Sequence, residues 1–435
     1  MTEPQHISKS LVNDLILPTI LFVSAGFFGW AIRGTYGYGA IPGSTFAATC
    51  WAITWYFLSR SQAGQESNTR RPYSSGWAVL AIILGIGIEG MHPWMQYSSW
   101  RRGLFPVTNS STFVPLDPAI GYIWWFVAAV PWAGTGAILL GWTASRHRCT
   151  ITDWLLRIAL GTAGLFIGLA IWAFAPQIIL PDYQTGLYAN LSACYGCTKA
   201  IGDTGIAMAF MGLFLGFLTF EILKKEWRNV KLILIVGIVT GIWWMAFQAL
   251  NIQVFAWRYW ETTSGAGIGL AYGLGYYFCN KPEPITNLPA TRFPNVERAI
   301  GVNLAVILAV GFGLYQAIWA ALGNVTGIQV TINLPALILV LGGAIGIWLI
   351  SAIFSIRNST KESNRHDITS SFTWLYFIAY GILHLSGFLV TITESNWAPL
   401  TTVFTIFYAV LAGVDMTIAV VLIKNKIVAI PSKLA

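Results

Sequence analysis

Residues 224–253 read KKEWRNVKLILIVGIVTGIWWMAFQALNIQ: four cations within the first eight positions, then 22 residues without a charge. As an α-helix, those 22 residues rise about 33 Å, enough to cross roughly 30 Å of hydrocarbon. The cations mark one end and the tryptophan pair Trp243–Trp244 approaches the other, the pattern of a membrane span with a charged cytoplasmic flank. The same grammar recurs along the chain. Twelve apolar runs are predicted as spans, at about 12–33, 38–59, 76–96, 119–144, 153–179, 200–222, 231–253, 263–280, 299–322, 333–356, 369–391 and 399–423. The class expected is an all-α polytopic membrane protein.

Composition agrees. Of 435 residues, 56% are hydrophobic and 10% charged, and the mean hydropathy is +0.64, outside the range of soluble domains. The opening MTEPQHISKS carries neither the apolar core nor the small-residue cleavage site of a secretory signal, so the first helix is expected to persist. An even number of spans puts both termini on one side. That side then holds 20 of the 25 Lys and Arg residues, which assigns it to the cytoplasm and the protein to the inner (plasma) membrane. The net charge of +8 follows from these loops and needs no nucleic acid to explain it.

Five cations fall on the outer side: Arg33, Arg101, Arg102, Lys199 and Arg258. Cys194 and Cys197 form a CxxC in an outer loop, where a disulfide staple can survive; two plain thiols are the alternative, and a lone CxxC is too little for zinc.

Helices 1–8 share a cadence. Odd helices carry glycine followed by tryptophan (GFFGW at 26–30, GIWW at 241–244), and small-residue-rich even helices return (GAIPGSTFAATCW, TTSGAGIGLAYGLG). This suggests four repeated hairpins, although small residues and tryptophan are common in any membrane helix. The proline-bearing stretch 281–297 reads as a cytoplasmic linker between an eight-helix unit, 1–280, and a four-helix unit, 298–435.

The densest unusual segment is WAIRGTYGYGAIPGS (30–44), where Arg33 is followed by Tyr36 and Tyr38 among glycines. Glycine lets backbone amides approach a ligand, and irregular backbone near a membrane is tolerated where it lines a cavity. A tight turn with a snorkelling arginine is the bland alternative. Segment 89–102, EGMHPWMQYSSWRR, gathers Glu89, His92, Trp94 and Arg101. Glu89 and His92 are three apart and share a helix face unless Pro93 disturbs it, which suits a proton carrier or a plain hydrogen bond. The segment 247–265 offers Trp257, Arg258 and Glu261; stacking and hydrogen bonding there suit a small polar ligand, and an Arg258–Glu261 pair across one turn is the alternative. Asp182, Lys199 and Asp203 are weaker outer-face candidates, most simply solvated loop charges.

Asp415 and His384 are ionisable residues in apolar surroundings, hence candidates for ion coupling or for a helix–helix hydrogen bond. Counting from the outer helix ends sets them at different depths, so that they need not touch.

Enzyme signatures such as HExxH, GxSxG and Walker A are missing, as are Cys/His clusters with metal spacing. No cofactor or metal is expected. The function expected is alternating-access transport of a small polar solute. The outer cations suggest an anionic metabolite, the aromatic residues a sugar, with Glu89, His92, His384 and Asp415 as proton- or ion-coupling residues. The expected partners are the lipid bilayer and the solute. Two other classes fit the same residues: a membrane-embedded transferase acting on a lipid-linked or outer-face substrate, and a non-catalytic subunit of a membrane complex.

Overall fold

The computed structural model describes residues 11–33, 40–61, 69–92, 97–108, 112–146, 149–247, 256–288, 315–327 and 401–427, together with 381, 383–386, 389 and 392–393. Among the described residues, ten helices of ten or more residues carry the fold. They are α1 (Leu17–Arg33, entered through a π-turn at Val12–Ile16), α2 (Ala40–Ser61), α3 (Trp77–Ile88), α4 (Pro118–Trp142) and α5 (Ile151–Phe174). Then follow α6 (Tyr195–Leu223), α7 (Trp227–Phe247), α8 (Ala256–Cys279), α9 (Tyr315–Thr326) and α10 (Thr401–Ile427).

Six segments among the described residues are long and apolar enough to cross a membrane: Val12–Arg33, Pro118–Trp142, Ile151–Phe174, Tyr195–Leu223, Trp227–Phe247 and Val403–Leu422. The protein is therefore a helical, multi-pass membrane protein. Other runs read as spans take a different form. α2 and α8 are long enough but rich in Gly, Ser and Thr, and they are lodged inside the bundle rather than turned to lipid. The run 76–96 does not continue as one helix: α3 ends at Ile88 and gives way to a 3-10 turn, Glu89–Met91. His92 is then extended (φ −81°, ψ 109°) because it precedes Pro93, whose ring disfavours helical geometry in the preceding residue. The runs at 299–322, 333–356 and 369–391 lie largely outside the described residues, as does most of the 281–297 linker.

Packing goes beyond the sequence neighbours. α1 packs on α2, α2 on α3, α3 on α4, α4 on α7, α7 on α8, and α8 back on α1, which closes a ring of six helices. The α5–α6 hairpin leans on this ring through α6, and α10 lies against α1. α5 presents Leu155, Ile158, Phe166, Ile167 and Phe174 outward, the apolar face that lipid requires.

Small residues set two close crossings among the described helices. A Cβ on Gly26 would overlap the carbonyl oxygen of Gly265, which fixes α1 against α8; Gly164 and Gly212 do the same for α5 and α6. Backbones that close gain dispersion contacts along their whole length, the main source of helix association in lipid. Gly26→Ala is therefore expected to cost about 1–3 kcal/mol through overpacking. Gly202→Ala, on α6 with nothing within 4 Å of the new methyl, should be neutral or slightly stabilising. Melting midpoints of the two variants in detergent check the contrast.

Tryptophans fill the ring. The indole N–H groups of Trp51, Trp243 and Trp244 donate to the carbonyls of Phe22 (3.1 Å), Thr263 (2.7 Å) and Ser264 (3.1 Å) on neighbouring helices. The Tyr272 hydroxyl crosses from α8 to the Ala133 carbonyl on α4 at 3.2 Å. At the cation-rich end, β1 (Thr69–Arg70) pairs antiparallel with β4 (Glu283–Pro284) and ties the loop after α2 to the segment after α8. At the opposite end, β2 (Leu104–Pro106) and β3 (Phe113–Pro115) form a short hairpin.

Candidate functional site

Inside the ring, toward the helix ends opposite the cation-rich side, charge is buried among indoles. Arg33 closes α1. Its Nη1 lies 3.5 Å from Glu261 Oε1 on α8, and its Nε donates to Ser44 Oγ on α2 at 3.2 Å. The guanidinium stacks over Trp30 (4.8 Å) and Trp132 (5.2 Å). A planar, weakly hydrated cation suits such a place better than an ammonium would. Glu261 is fully buried, so the pair shares a desolvation cost that either charge alone could not bear.

Trp132 links this pair to a second one. On its other flank the His92 ring stacks at 6.1 Å, with Phe210 of α6 at 5.4 Å. His92 Nδ1 lies 3.4 Å from Glu89 Oε2, and Glu89 Oε1 accepts a 2.6 Å hydrogen bond from Thr135 on α4. The 3-10 turn and the extended His92 make this possible, because they fold the imidazole back over its own carboxylate. When Nδ1 carries the proton toward Glu89, Nε2 is left as the accepting nitrogen.

A third acid joins from outside the ring. His384 Nε2 lies 3.5 Å from Asp415 Oδ2 on α10, and the His384 ring stacks on Phe28 of α1 at 4.4 Å. Position counting set these two residues at different depths; the structure brings them together. Counting treats helices as upright with level ends, whereas tilt and side-chain reach shift real depths by a turn or more. Tyr408, on α10, meets Thr262 of α8 at 3.1 Å. Two carboxylate–imidazole pairs are thus buried in the bundle, each with its imidazole stacked on an aromatic ring: Glu89–His92 on Trp132, which also carries Arg33, and Asp415–His384 on Phe28 of α1.

Several buried polar atoms here have no hydrogen-bond partner among the described residues: the indole nitrogens of Trp30 and Trp132, His92 Nε2 and Glu261 Oε2. The contrast with Trp51, Trp243 and Trp244, all satisfied, is chemical. Buried donors and acceptors left open cost roughly 1–3 kcal/mol each, and native interiors keep few of them unless something else fills them.

Other sequence candidates fall elsewhere. Tyr36, Tyr38 and Trp94 lie outside the described residues; Trp257 and Arg258 stand in the first turn of α8, with side chains that are not described. Glu261 takes Arg33 as its partner. Arg101 is buried at the end of the turn Tyr97–Trp100, packed where a side chain on Gly121 would collide with its backbone. Burial lowers its guanidinium to about 10, with Tyr122 opposing that shift and Arg102 adding to it. Cys194 and Cys197 are joined as a disulfide, and Cys194 caps α6. Asp203 is buried rather than solvated. Among the described residues no group of three or more His, Cys, Asp or Glu side chains is placed to hold a metal ion.

Sequence reasoning missed a second buried network, at the cation-rich end. Arg157 on α5 pairs with Glu221 on α6 at 2.8 Å; Asn229 on α7 donates to the same carboxylate at 2.8 Å, and the Tyr73 hydroxyl donates to Asn229 at 2.7 Å. Burial raises the Tyr73 phenol above its ordinary range, which keeps it protonated as a donor. Asn280, at the end of α8, accepts from the Tyr73 and Arg71 side of the loop and donates to Ser59 of α2 at 2.8 Å. Arg157 was counted with the cations that set orientation. Its place inside an apolar helix, matched by Glu221 inside another, is the signal that could have found the pair.

No protein-family model, curated protein or solved structure matches this chain.

Proposed function

We propose that the protein is an inner-membrane transporter of a small polar solute. In this reading twelve spans put both termini in the cytoplasm, and transport proceeds by alternating access. The observation that carries it is the set of open polar atoms on Trp30, Trp132, His92 and Glu261, buried in the ring beside a paired arginine. Aromatic walls with a few fixed polar groups are the ordinary make-up of a small-molecule site. A membrane interior retains such groups at a cost of several kcal/mol unless they serve a pathway.

The two ends differ in a way that fits alternating access. The cation-rich end is closed by the Arg157–Glu221–Asn229–Tyr73 network and the β1–β4 clasp. The outer end holds the open polar atoms of Trp30, Trp132, His92 and Glu261. The carboxylate–imidazole pairs supply groups whose protonation can be tied to solute occupancy, Glu89–His92 through Trp132 and Asp415–His384 through Phe28.

Asp415→Asn keeps the shape of the side chain and removes its charge. In proteoliposomes it is expected to abolish proton-gradient-driven accumulation while solute binding, read as a shift in melting midpoint, stays within about twofold of wild type. Undiminished accumulation would remove Asp415 from the coupling step. Binding lost together with accumulation would place it in the solute site instead.

A further inference from the structure

The charge balance of the site bears on what it takes, an inference that rests on the solute-binding reading above. The outer cations of the sequence point to an anion, yet Arg33, the one placed in the ring among the described side chains, is already paired with Glu261 and stacked on two indoles. Against it in the ring stand two buried carboxylates, Glu89 and Glu261. With His92 neutral the balance of these described groups is negative. Arg258, whose side chain is not described, would bring it to zero, and the segments 34–39, 93–96 and 248–255 contain no Asp, Glu, Lys or Arg. An anion would enter beside two buried carboxylates and an arginine already committed to Glu261, which costs more than it returns in a low-dielectric interior.

The open atoms sharpen the choice. Glu261 Oε2 is an acceptor without a donor, and Trp30 and Trp132 each hold out an N–H without an acceptor. The Arg33 guanidinium already occupies faces of these two indoles, so a solute meets them at their N–H edges. A ligand that satisfies all three brings a cationic nitrogen to Glu261 and a hydrogen-bond acceptor to the indole N–H groups. We infer that the solute is a small organic cation, an amine or guanidinium compound that also carries a hydroxyl, carbonyl or carboxylate acceptor. Glu261 then bridges two cations, Arg33 through Oε1 and the solute through Oε2.

The experiment is a thermal-shift and competition series on the purified full chain. Ethanolamine, choline, arginine and glycine betaine are compared with glucose, citrate and inorganic phosphate. At least one cationic or zwitterionic probe is expected to raise the melting midpoint in a saturable way. Glu261→Gln should weaken that binding at least about tenfold, the loss of one charge-assisted hydrogen bond. Because Glu261→Gln leaves Arg33 buried without its counter-charge, the double variant Arg33→Gln/Glu261→Gln is measured too. It removes both charges together, and it should also lose the cation.

Stabilisation by citrate, phosphate or glucose with none from the cations would overturn the assigned class while leaving a solute site in place. Cation binding unchanged in both variants would overturn the role of Glu261 and with it the inference. No stabilisation by any probe of any class would count against the solute-binding reading itself.

Discussion

Glu221→Ala is expected to destabilise the protein by about 3–5 kcal/mol, the cost of leaving one member of a buried ion pair uncompensated. Arg157 and Glu221 are both fully buried and 2.8 Å apart. At an effective dielectric near 20 their attraction is on the order of 6 kcal/mol, most of it spent against desolvation. Without the carboxylate, the guanidinium remains in a box of Trp142 (4.9 Å), Trp154 (4.8 Å) and Phe220 (4.4 Å), able to stack but without its counter-charge. Asn229 would lose its acceptor at the same time, and the Tyr73–Asn229 link would loosen.

The companion variant separates pairing from packing. Arg157→Met with Glu221→Gln keeps the volume and the amide acceptor for Asn229 while removing both charges, and it should recover most of the loss. The measurement is the melting midpoint in detergent: several degrees lower for Glu221→Ala, near wild type for the double variant. Equal losses in both would mean that charge pairing is not what holds α5, α6 and α7 together at this end.

The second large effect is expected at Arg33. Its guanidinium touches α1, α2, α4 and α8 at once, through Trp30, Ser44, Trp132 and Glu261. Arg33→Lys preserves charge but not the plane that stacks between two indoles, where each contact is worth about 2 kcal/mol when desolvated. Solute affinity should fall by at least about tenfold in Arg33→Lys. In Arg33→Ala, where Glu261 is left as an unpaired buried carboxylate, it should vanish, with a loss of stability of about 3–5 kcal/mol. Affinity read from ligand-dependent melting shifts, alongside the ligand-free midpoint, distinguishes the two. Arg33→Lys binding as tightly as wild type would show that charge alone matters and that the stacked geometry is incidental.

The membrane class was legible in segments such as 224–253 because apolar length and flanking charge are local properties of the chain. The ring was not legible. The α1–α8 and α4–α7 contacts join residues far apart in sequence, and the glycines that permit them look the same whether they face a helix, a ligand or lipid. Pro93 warned of a break beside His92, and the helix does end there. Arg33, Glu89, His92 and Glu261 stood out as charges near helix ends; the Glu89–His92 pair was legible from their spacing of three, but the Arg33–Glu261 pair was not. Glu261 has Arg258 one turn away in sequence, yet it takes Arg33 from another helix. Asp415 and His384 were both conspicuous, and only the packing of α10 on α1 puts them within reach of each other. The Arg157–Glu221 pair stayed hidden because orientation rules count a cation without asking whether it is buried.

The transport reading holds that the buried polar atoms in the ring bind a solute that crosses the membrane. Its most direct test is uptake of the radiolabelled solute that best stabilises the purified protein into proteoliposomes, compared with protein-free vesicles and with Glu261→Gln. Saturable accumulation by wild type, several-fold above protein-free vesicles and lost in Glu261→Gln, is the result expected. Uptake by wild type no faster than by protein-free vesicles, with the solute bound but not carried, would contradict it.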